Sequence, residues 1–506
     1  MDTRPMARLA LLLGWVVALG GGVAAAAPVA RPVAMEEAVA WAVGRNLGVA
    51  LATEAVEVAT AAGVEAAATF DPSLSARVGF DHSEMPVASE LFGTTREAVD
   101  LRLGLTRRFA LGTESSLTLT GDRQRDNFPF STRNPRFDAG LVVEIAQPLL
   151  RGAGTAVNLT PMRLARVASA EEAVRLRAAM EEVVLATETG YWHLVEAGER
   201  LKVARSSLEL ARSLAENVGE RVRVGGLPPF EQLAAEAEVA LRDEAVAEAE
   251  QGLADGQDHL LEVTGVGTAE AESWALRPVP MELPEIEAEE PDLARALDRA
   301  LAHRTDLALA RLARAARGLE AARADNLRLP DLALTGRAGV GGLTGEGQVE
   351  ELAGQLGRRD FPSYGAGLAL TYPLGNRAGV AAAAAAHSRH RQADLALRQA
   401  EVAVVAAVRA ASRDLATSAR RIAATAKAVS ARTAVVEAEG EKFRQAIATA
   451  HEVLAAQRDL TEARERQVAA RTRYLLAVAR WWDAQGMLLE RHHLQVAVGA
   501  DVASPE

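Results

Sequence analysis

Two hydrophobic spacings alternate along this chain. Between Pro161 and Pro228, and again between Pro373 and Pro505, there is no proline, and the sequence is dense in the helix formers Ala, Leu, Glu and Arg. Gly and Pro cluster at the ends of these stretches, where helices start and stop. The pattern predicts one helix over 161–224 and another over 380–445. At 1.5 Å per residue each is roughly 95–100 Å long, far beyond an ordinary globular helix. Shorter helices are predicted at 35–69, 231–264, 291–328 and 451–486. Laid end to end, 35–69 and 231–264 match the length of 161–224, and 291–328 with 451–486 match 380–445. A tube wall of long helices beside stacked short pairs accounts for the match.

Between the helices the spacing falls to two. Every other residue is aliphatic in Val99-Asp100-Leu101-Arg102-Leu103-Gly104-Leu105, in Leu117-Thr118-Leu119-Thr120 and in Leu141-Val142-Val143-Glu144-Ile145. Leu74, Val78 and Phe80 mark a further strand, Leu332 and Leu334 another, and Leu368, Leu370 and Tyr372 a sixth. The strands fall at 72–147 and 330–372, each about 9–11 residues, the length a tilted membrane-spanning strand needs. Aliphatics on one face and groups such as Arg102 and Glu144 on the other suit a transmembrane β-barrel. Six strands cannot enclose a wide pore, and a sheet in lipid cannot leave open edges, so several chains must share one barrel. The hairpin at 99–122 decides how many strands each chain adds to that barrel; the reading here places it in the sheet. Residues 83–97, 123–136 and 343–363 read as exposed loops and Ala110–Thr113 as a short periplasmic turn.

Composition narrows the function. A net charge of −12 disfavours nucleic acid, which needs a basic surface. The absence of cysteine excludes disulfides, thiolate metal sites and a cysteine nucleophile. Residues 1–27 read as a secretory signal, with Arg4 and Arg8, an apolar run from Leu9 to Gly20, and small residues Ala24 to Ala27 before Pro28. No later segment reads as a membrane-spanning helix.

The chain also repeats itself. Gly48-Val49-Ala50-Leu51 aligns with Asp306-Leu307-Ala308-Leu309, and Pro72 with Pro330 at the same offset. Gln147-Pro148-Leu149-Leu150-Arg151-Gly152 aligns with Tyr372-Pro373-Leu374-Gly375-Asn376-Arg377. Glu231–Glu236 aligns with Glu452–Gln457, which brings Gly265 onto Gly486. The organisation is a first repeat at 28–265, a Pro-rich linker at 266–290, a second repeat at 291–487 and a tail at 488–506.

On these residues, and on the tip segment Val224-Gly225-Gly226-Leu227 before Glu231, the sequence resembles the TolC family of outer-membrane efflux proteins over nearly the whole mature chain. The resemblance implies an α+β membrane protein with two structural repeats per chain. Three copies then share one transmembrane β-barrel and one long periplasmic α-helical barrel. It implies a passive exit duct for efflux or type I secretion, seated in outer-membrane lipid. Its partners would be a periplasmic adaptor (membrane fusion) protein and an inner-membrane RND or ABC transporter. It places Gly225, Gly226 and Leu227 at the adaptor-contacting tip, with Ala448 and Thr449 in the second turn, which lacks the glycine. Glu452, and Glu231 at the matching position, become candidates for a pore constriction. Glu452 equally fits a helix N-terminus, where the dipole favours it. The second acidic position of some family members falls on the neutral Ala455.

Catalytic and cofactor readings are poor. His451-Glu452-Val453-Leu454-Ala455 starts like a zinc-protease helix but has no second His. His387 and His390 sit one helical turn apart with no third ligand indicated, and His492-His493 reads as a surface pair. Gly339-Val340-Gly341-Gly342 lacks the Lys of a phosphate loop and reads as loop. The expectation is no enzyme and no cofactor. The competing reading is a structural envelope protein or adhesin that does not conduct.

Overall fold

The structure, a computed structural model, describes residues 29–87, 93–265, 276–280, 283–284, 286, 291–346 and 348–494. The predicted signal segment and the end of the tail lie outside these residues.

The chain runs β1 (Val29–Val33), α1 (Met35–Arg45), α2 (Leu47–Ala67), β2 (Ser73–Glu84), β3 (Thr95–Arg108), β4 (Glu114–Asp126), β5 (Arg136–Pro148), α3 (Thr155–Asn158), α4 (Thr160–Arg223) and α5 (Pro229–Thr264). It continues with β6 (Leu276–Pro280), α6 (Leu293–His303), α7 (Thr305–Leu327), β7 (Asp331–Thr344), α8 (Val349–Arg358), β8 (Phe361–Thr371), α9 (Arg377–Arg444), α10 (Ala450–Ala484) and α11 (Leu488–Arg491). The two long helices have 64 and 68 residues. Pro161 stands in the first turn of α4, where a missing N–H costs nothing.

Two expected helices are each broken into two. The stretch 35–69 stops at Asn46, whose side chain accepts from Gly48 N (2.7 Å) and caps α2, while its amide donates to Val263 O. The stretch 291–328 stops at Arg304. The reason is the same in both repeats. α5 ends at Gly265 (φ 66°) and α10 at Gly486 (φ 67°), and each glycine abuts the broken backbone. A Cβ on Gly265 would lie 2.7 Å from Arg45 O, and one on Gly486 2.9 Å from His303 C. So α2, not the whole of 35–69, stacks on α5, and α7 stacks on α10, beside α4 and α9. Above the breaks the helices neighbour one another in the order α2, α4, α7, α9; below, in the order α5, α4, α10, α9.

A core runs along this wall. Val404, Val408, Leu415, Tyr474 and Ala477 bury between α9 and α10, joined by Ala296, Ala300 and Leu307 from α6 and α7. Leu176, Met180 and Val184 of α4 pack with Val39, Val49, Leu488 and Leu489. The expected tail at 488 therefore begins as a docked helix, because Leu488 and Leu489 are fully buried. A parallel pair, β1 with β6, draws the linker onto the first repeat, and Tyr191 Oη donates to Val33 O at 3.0 Å.

Six strands form one antiparallel sheet in the order β2-β3-β4-β5-β7-β8. The hairpin 99–122 is inside it, paired to β2 on one side and β5 on the other. The sheet's strands run 11–14 residues, all but β8 longer than expected, and in the first repeat this is because pairing continues into 83–97 and 123–136. The expected loop 343–363 contains α8. Gly339 to Gly342 lie within β7, not in a loop; Gly342 lets Leu352 and Gln355 of α8 approach, a Cβ there meeting them at 3.2 and 3.1 Å.

Candidate functional site

The site is the wall itself, and its chemistry follows from register. Reading across the sheet, Leu74, Leu105, Leu117, Val143, Ala338 and Tyr364 stand in one transverse row. Two residues along, Ala76, Leu103, Leu119, Leu141, Val340 and Pro362 form the next row of the same face. The opposite face carries Ser73, Thr106, Ser116, Glu144, Arg337 and Gly365 in one row, and Arg77, Arg102, Thr120, Gly140, Gly341 and Phe361 in another. Alternation alone separates them. Among the described residues nothing covers the apolar face: Leu74, Val78 and Phe80 are 71–78% exposed. The polar face is concave and bounds a space of about 830 Å³ beside Ser73, Thr106, Ser116, Glu144 and Arg337. An apolar convex face and a polar concave face make a barrel segment with lipid outside and water inside. Among the described residues, strands β2 and β8 leave the two edges of this sheet unpaired.

The helical wall also has two free edges, α2 and α5 on one side and α9 on the other. Leu47, Leu51 and Val58 on α2 are 64–72% exposed, and Leu395 and Val402 on α9 63–70%. By length and composition alone, the helical stretch Leu47–Phe70, which contains α2, is long and apolar enough to cross a membrane, and it is mostly exposed. This corrects the expectation that no later segment would be, and the cause is its Ala- and Val-rich sequence with few charges.

At the far end, α4 turns into α5 and α9 into α10 with the same geometry. Gly226 N donates to Arg221 O (2.7 Å) and Gly225 N to Val222 O (3.0 Å). Ile447 N donates to Lys442 O (2.9 Å) and Ala446 N to Phe443 O (3.0 Å). Gly225 takes φ 81° and Ala446 takes φ 63°, the left-handed conformation that ends helices. Gly225, Gly226 and Thr449 are exposed; Leu227 and Ala448 are half-buried over a small core of Leu214, Val218, Ala235, Phe443, Val453 and Leu454. Sequence reasoning missed Arg221. Its guanidinium lies 4.4 Å from the Phe443 ring and donates to Phe443 O (2.8 Å) and Arg444 O (3.2 Å), tying one turn to the other. Sequence reasoning placed Val224 in the tip but missed Phe230, and missed that Val224, Phe230 and Ile447 stand 65–75% exposed there. A charged residue inside an amphipathic helix gives no hint of such a tie.

The two candidate constriction residues occupy equivalent first-turn positions but differ in surroundings. Thr449 Oγ1 accepts from Glu452 N, and Glu452 Oε2 accepts from Thr449 N at 2.7 Å, a capping box. That backbone donation holds the Glu452 carboxyl below its ordinary range. Glu231 follows Pro228, which offers no side-chain cap.

The belt where the repeats meet holds buried charges. Arg177 bonds Glu181 (2.9 Å), Glu490 (2.7 Å) and Gly486 O (2.9 Å), and Arg304 bonds Asp306. Burial raises the Glu181 and Asp483 carboxyls above their ordinary range. His492, expected at the surface, is half-buried against the buried Glu188, with Arg491 3.4 Å from the same carboxylate. The Arg177 and Glu188 contacts join α4 to residues 486–492 and read as structural. His387 Nε2 lies 3.0 Å from Asp325, and among the described residues no group of three metal-ligand side chains forms.

Residues 296–482 match the family of outer membrane efflux proteins. Comparison with curated protein sequences finds none that matches. Among solved structures, the CmeC outer membrane channel of Campylobacter jejuni superposes with a TM-score of 0.67 at 14% identity, covering 90% of this chain and 86% of that one. The outer membrane protein VceC of Vibrio cholerae gives 0.65 at 15%, covering 89% and 96%. The open-state MtrE outer membrane channel of Neisseria gonorrhoeae gives 0.62 at 15%, covering 90% and 89%.

Proposed function

We propose that this chain, whose residues 296–482 match the outer membrane efflux proteins and whose fold is that of solved outer membrane channels, works as one of them, three copies closing into one tube that carries solutes passively out of the periplasm. The carrying observation is the six-stranded sheet with an apolar outer face, a polar inner face and two unpaired edges. An edge in lipid would leave backbone groups unsatisfied, so β8 of one copy must meet β2 of the next. Six strands from each of three chains make an 18-stranded barrel. The helical edges continue the same contact downward. The family is one of channels, not enzymes, and transport energy enters elsewhere.

The tip supports an adaptor contact. Val224, Phe230, Leu233 and Ile447 put large apolar side chains in water beside Gly225, Gly226 and Thr449, and exposed apolar clusters of this kind mark protein contacts. A periplasmic adaptor with apolar side chains fits there, and through it an inner-membrane RND or ABC pump. Glu231 and Glu452 stand just inside the turns and put negative charge at the mouth. The chain is exported with a signal cleaved near Pro28, which N-terminal sequencing of the mature protein checks.

The test is conductance. Purified protein added to a planar bilayer should give stable, ATP-independent conductance steps. A folded trimer that inserts without conducting would leave the structural envelope reading in its place.

A further inference from the structure

The two free edges of the helical wall below the breaks carry opposite charge. On α9, Arg409, Arg413, Arg420 and Lys427 recur at intervals of four, seven and seven residues, so they share one helix face. That face points away from the buried Val404, Val408 and Leu415, and all four are exposed. On α5, Glu244, Glu248, Asp255 and Glu262 recur at the same intervals, on the face opposite the buried Ala235, Glu238 and Leu260. Among the described residues the four cations make no ion pair, and Glu244, Glu248 and Asp255 make none either. The acids that face α4 are satisfied within the chain, Asp243 by Arg212 (3.2 Å) and Glu250 by Arg205 (2.8 Å).

The heights agree as well. α9 descends to the tip and α5 rises from it. At 1.5 Å per residue from the tip turns, Lys427 stands at about 26 Å and Glu248 at about 28 Å. Arg420 and Asp255 stand at about 36 and 39 Å, and Arg409 and Glu262 at about 52 and 49 Å. Above the breaks the same α9 face turns apolar at Leu395 and Val402, level with the exposed Leu51 and Leu47 of α2.

We infer that the α9 basic stripe of one copy pairs with the α5 acidic stripe of the next, forming an ionic seam between subunits below the breaks and an apolar seam above them. The occupant of each edge is thus a second copy of this chain, and the contact is head-to-tail, as a closed ring requires. The inference rests on the three-copy reading. Exposed pairs weaken as the Debye length shrinks from about 10 Å at 0.1 M salt to about 3 Å at 1 M, whereas apolar contacts do not.

The chain has no cysteine, so introduced pairs are unambiguous. Glu248→Cys with Lys427→Cys, and Asp255→Cys with Arg420→Cys, should cross-link under oxidation into covalent dimers and trimers. Asp255→Cys with Lys427→Cys, offset by about 13 Å, should not. Raising salt from 0.1 to 1 M should slow the lower cross-links severalfold and leave a Leu51→Cys with Leu395→Cys cross-link unchanged. Combined R409E, R413E and R420E should cut the trimer fraction at 0.1 M salt at least tenfold, and adding E248R, D255R and E262R should restore it. A native trimer whose lower cysteine pairs stay uncross-linked, or link equally in the offset control, overturns the seam and leaves the trimer standing. An unmodified protein that is monomeric in detergent and in the membrane fails the three-copy reading, and the seam with it.

Discussion

The two repeats build the same turn at the tip from different residues. In the first, Gly225 supplies the left-handed conformation, Pro228 precedes α5 and Glu231 has no capping partner. In the second, Ala446 is held left-handed, Thr449 caps α10 and Glu452 closes the box. The hydrogen bonds and the left-handed position coincide, yet one turn gains its shape from a permissive backbone and the other from side-chain capping that offsets strain. Duplication preserved the geometry and left the chemistry free to diverge.

The largest effect tests where the repeats agree. Gly265→Val and Gly486→Val should each cost at least about 3 kcal/mol, since each adds a left-handed penalty to a Cβ colliding with backbone. Thermal unfolding in detergent should show both losses; tolerance of either variant would mean the helix breaks have another cause. Next is Arg221, which reaches across from the first hairpin to the second turn. Arg221→Ala should cost about 2 kcal/mol, for two charge-assisted hydrogen bonds and a ring contact. Hydrogen exchange should quicken at 443–449 more than at 222–228.

The turns themselves should then respond with opposite signs. Ala446→Gly should stabilise by about 1 kcal/mol, and Gly225→Ala destabilise by about 1 kcal/mol, both read in urea titrations of the intact assembly. Thr449→Ala should cost about 1 kcal/mol through loss of the cap, while Pro228→Ala should change little. The smallest effect is a pH dependence. Because Thr449 N–H holds the Glu452 carboxyl low when folded, its contribution is present above the ordinary carboxylate range and fades as pH falls through the lowered value. Protection of the second turn, corrected for intrinsic exchange, should fall on acidification and be pH-independent in Glu452→Gln.

Much of this architecture was legible. Absence of proline and a helical period marked α4 and α9 to within a few residues, and a period of two marked all six barrel strands, because each burial environment writes its own spacing. The duplication placed Gly265 opposite Gly486. What it did not reveal is that each glycine sits against a break, at Asn46 and Arg304: both stretches keep their helical period across the break, and the cause is a contact from 219 residues away in one case and 182 in the other. The tip glycines were legible as turn residues. Arg221 and the apolar tip side chains were not, since an arginine near a helix end reads as a favourable dipole partner whatever else it touches. β1 and β6 were hidden because both are short and carry proline, and only the pairing across the linker makes them strands.

The central claim is that the open sheet of one chain is one third of a closed barrel. Single-particle imaging of the mature protein in detergent tests it most directly. The account predicts a threefold hollow tube with 18 strands, β8 paired to the neighbour's β2, above a helical section about 100 Å long. A compact monomer, a solid rod without a lumen, or a barrel of 12 strands with 99–122 folded aside would contradict it.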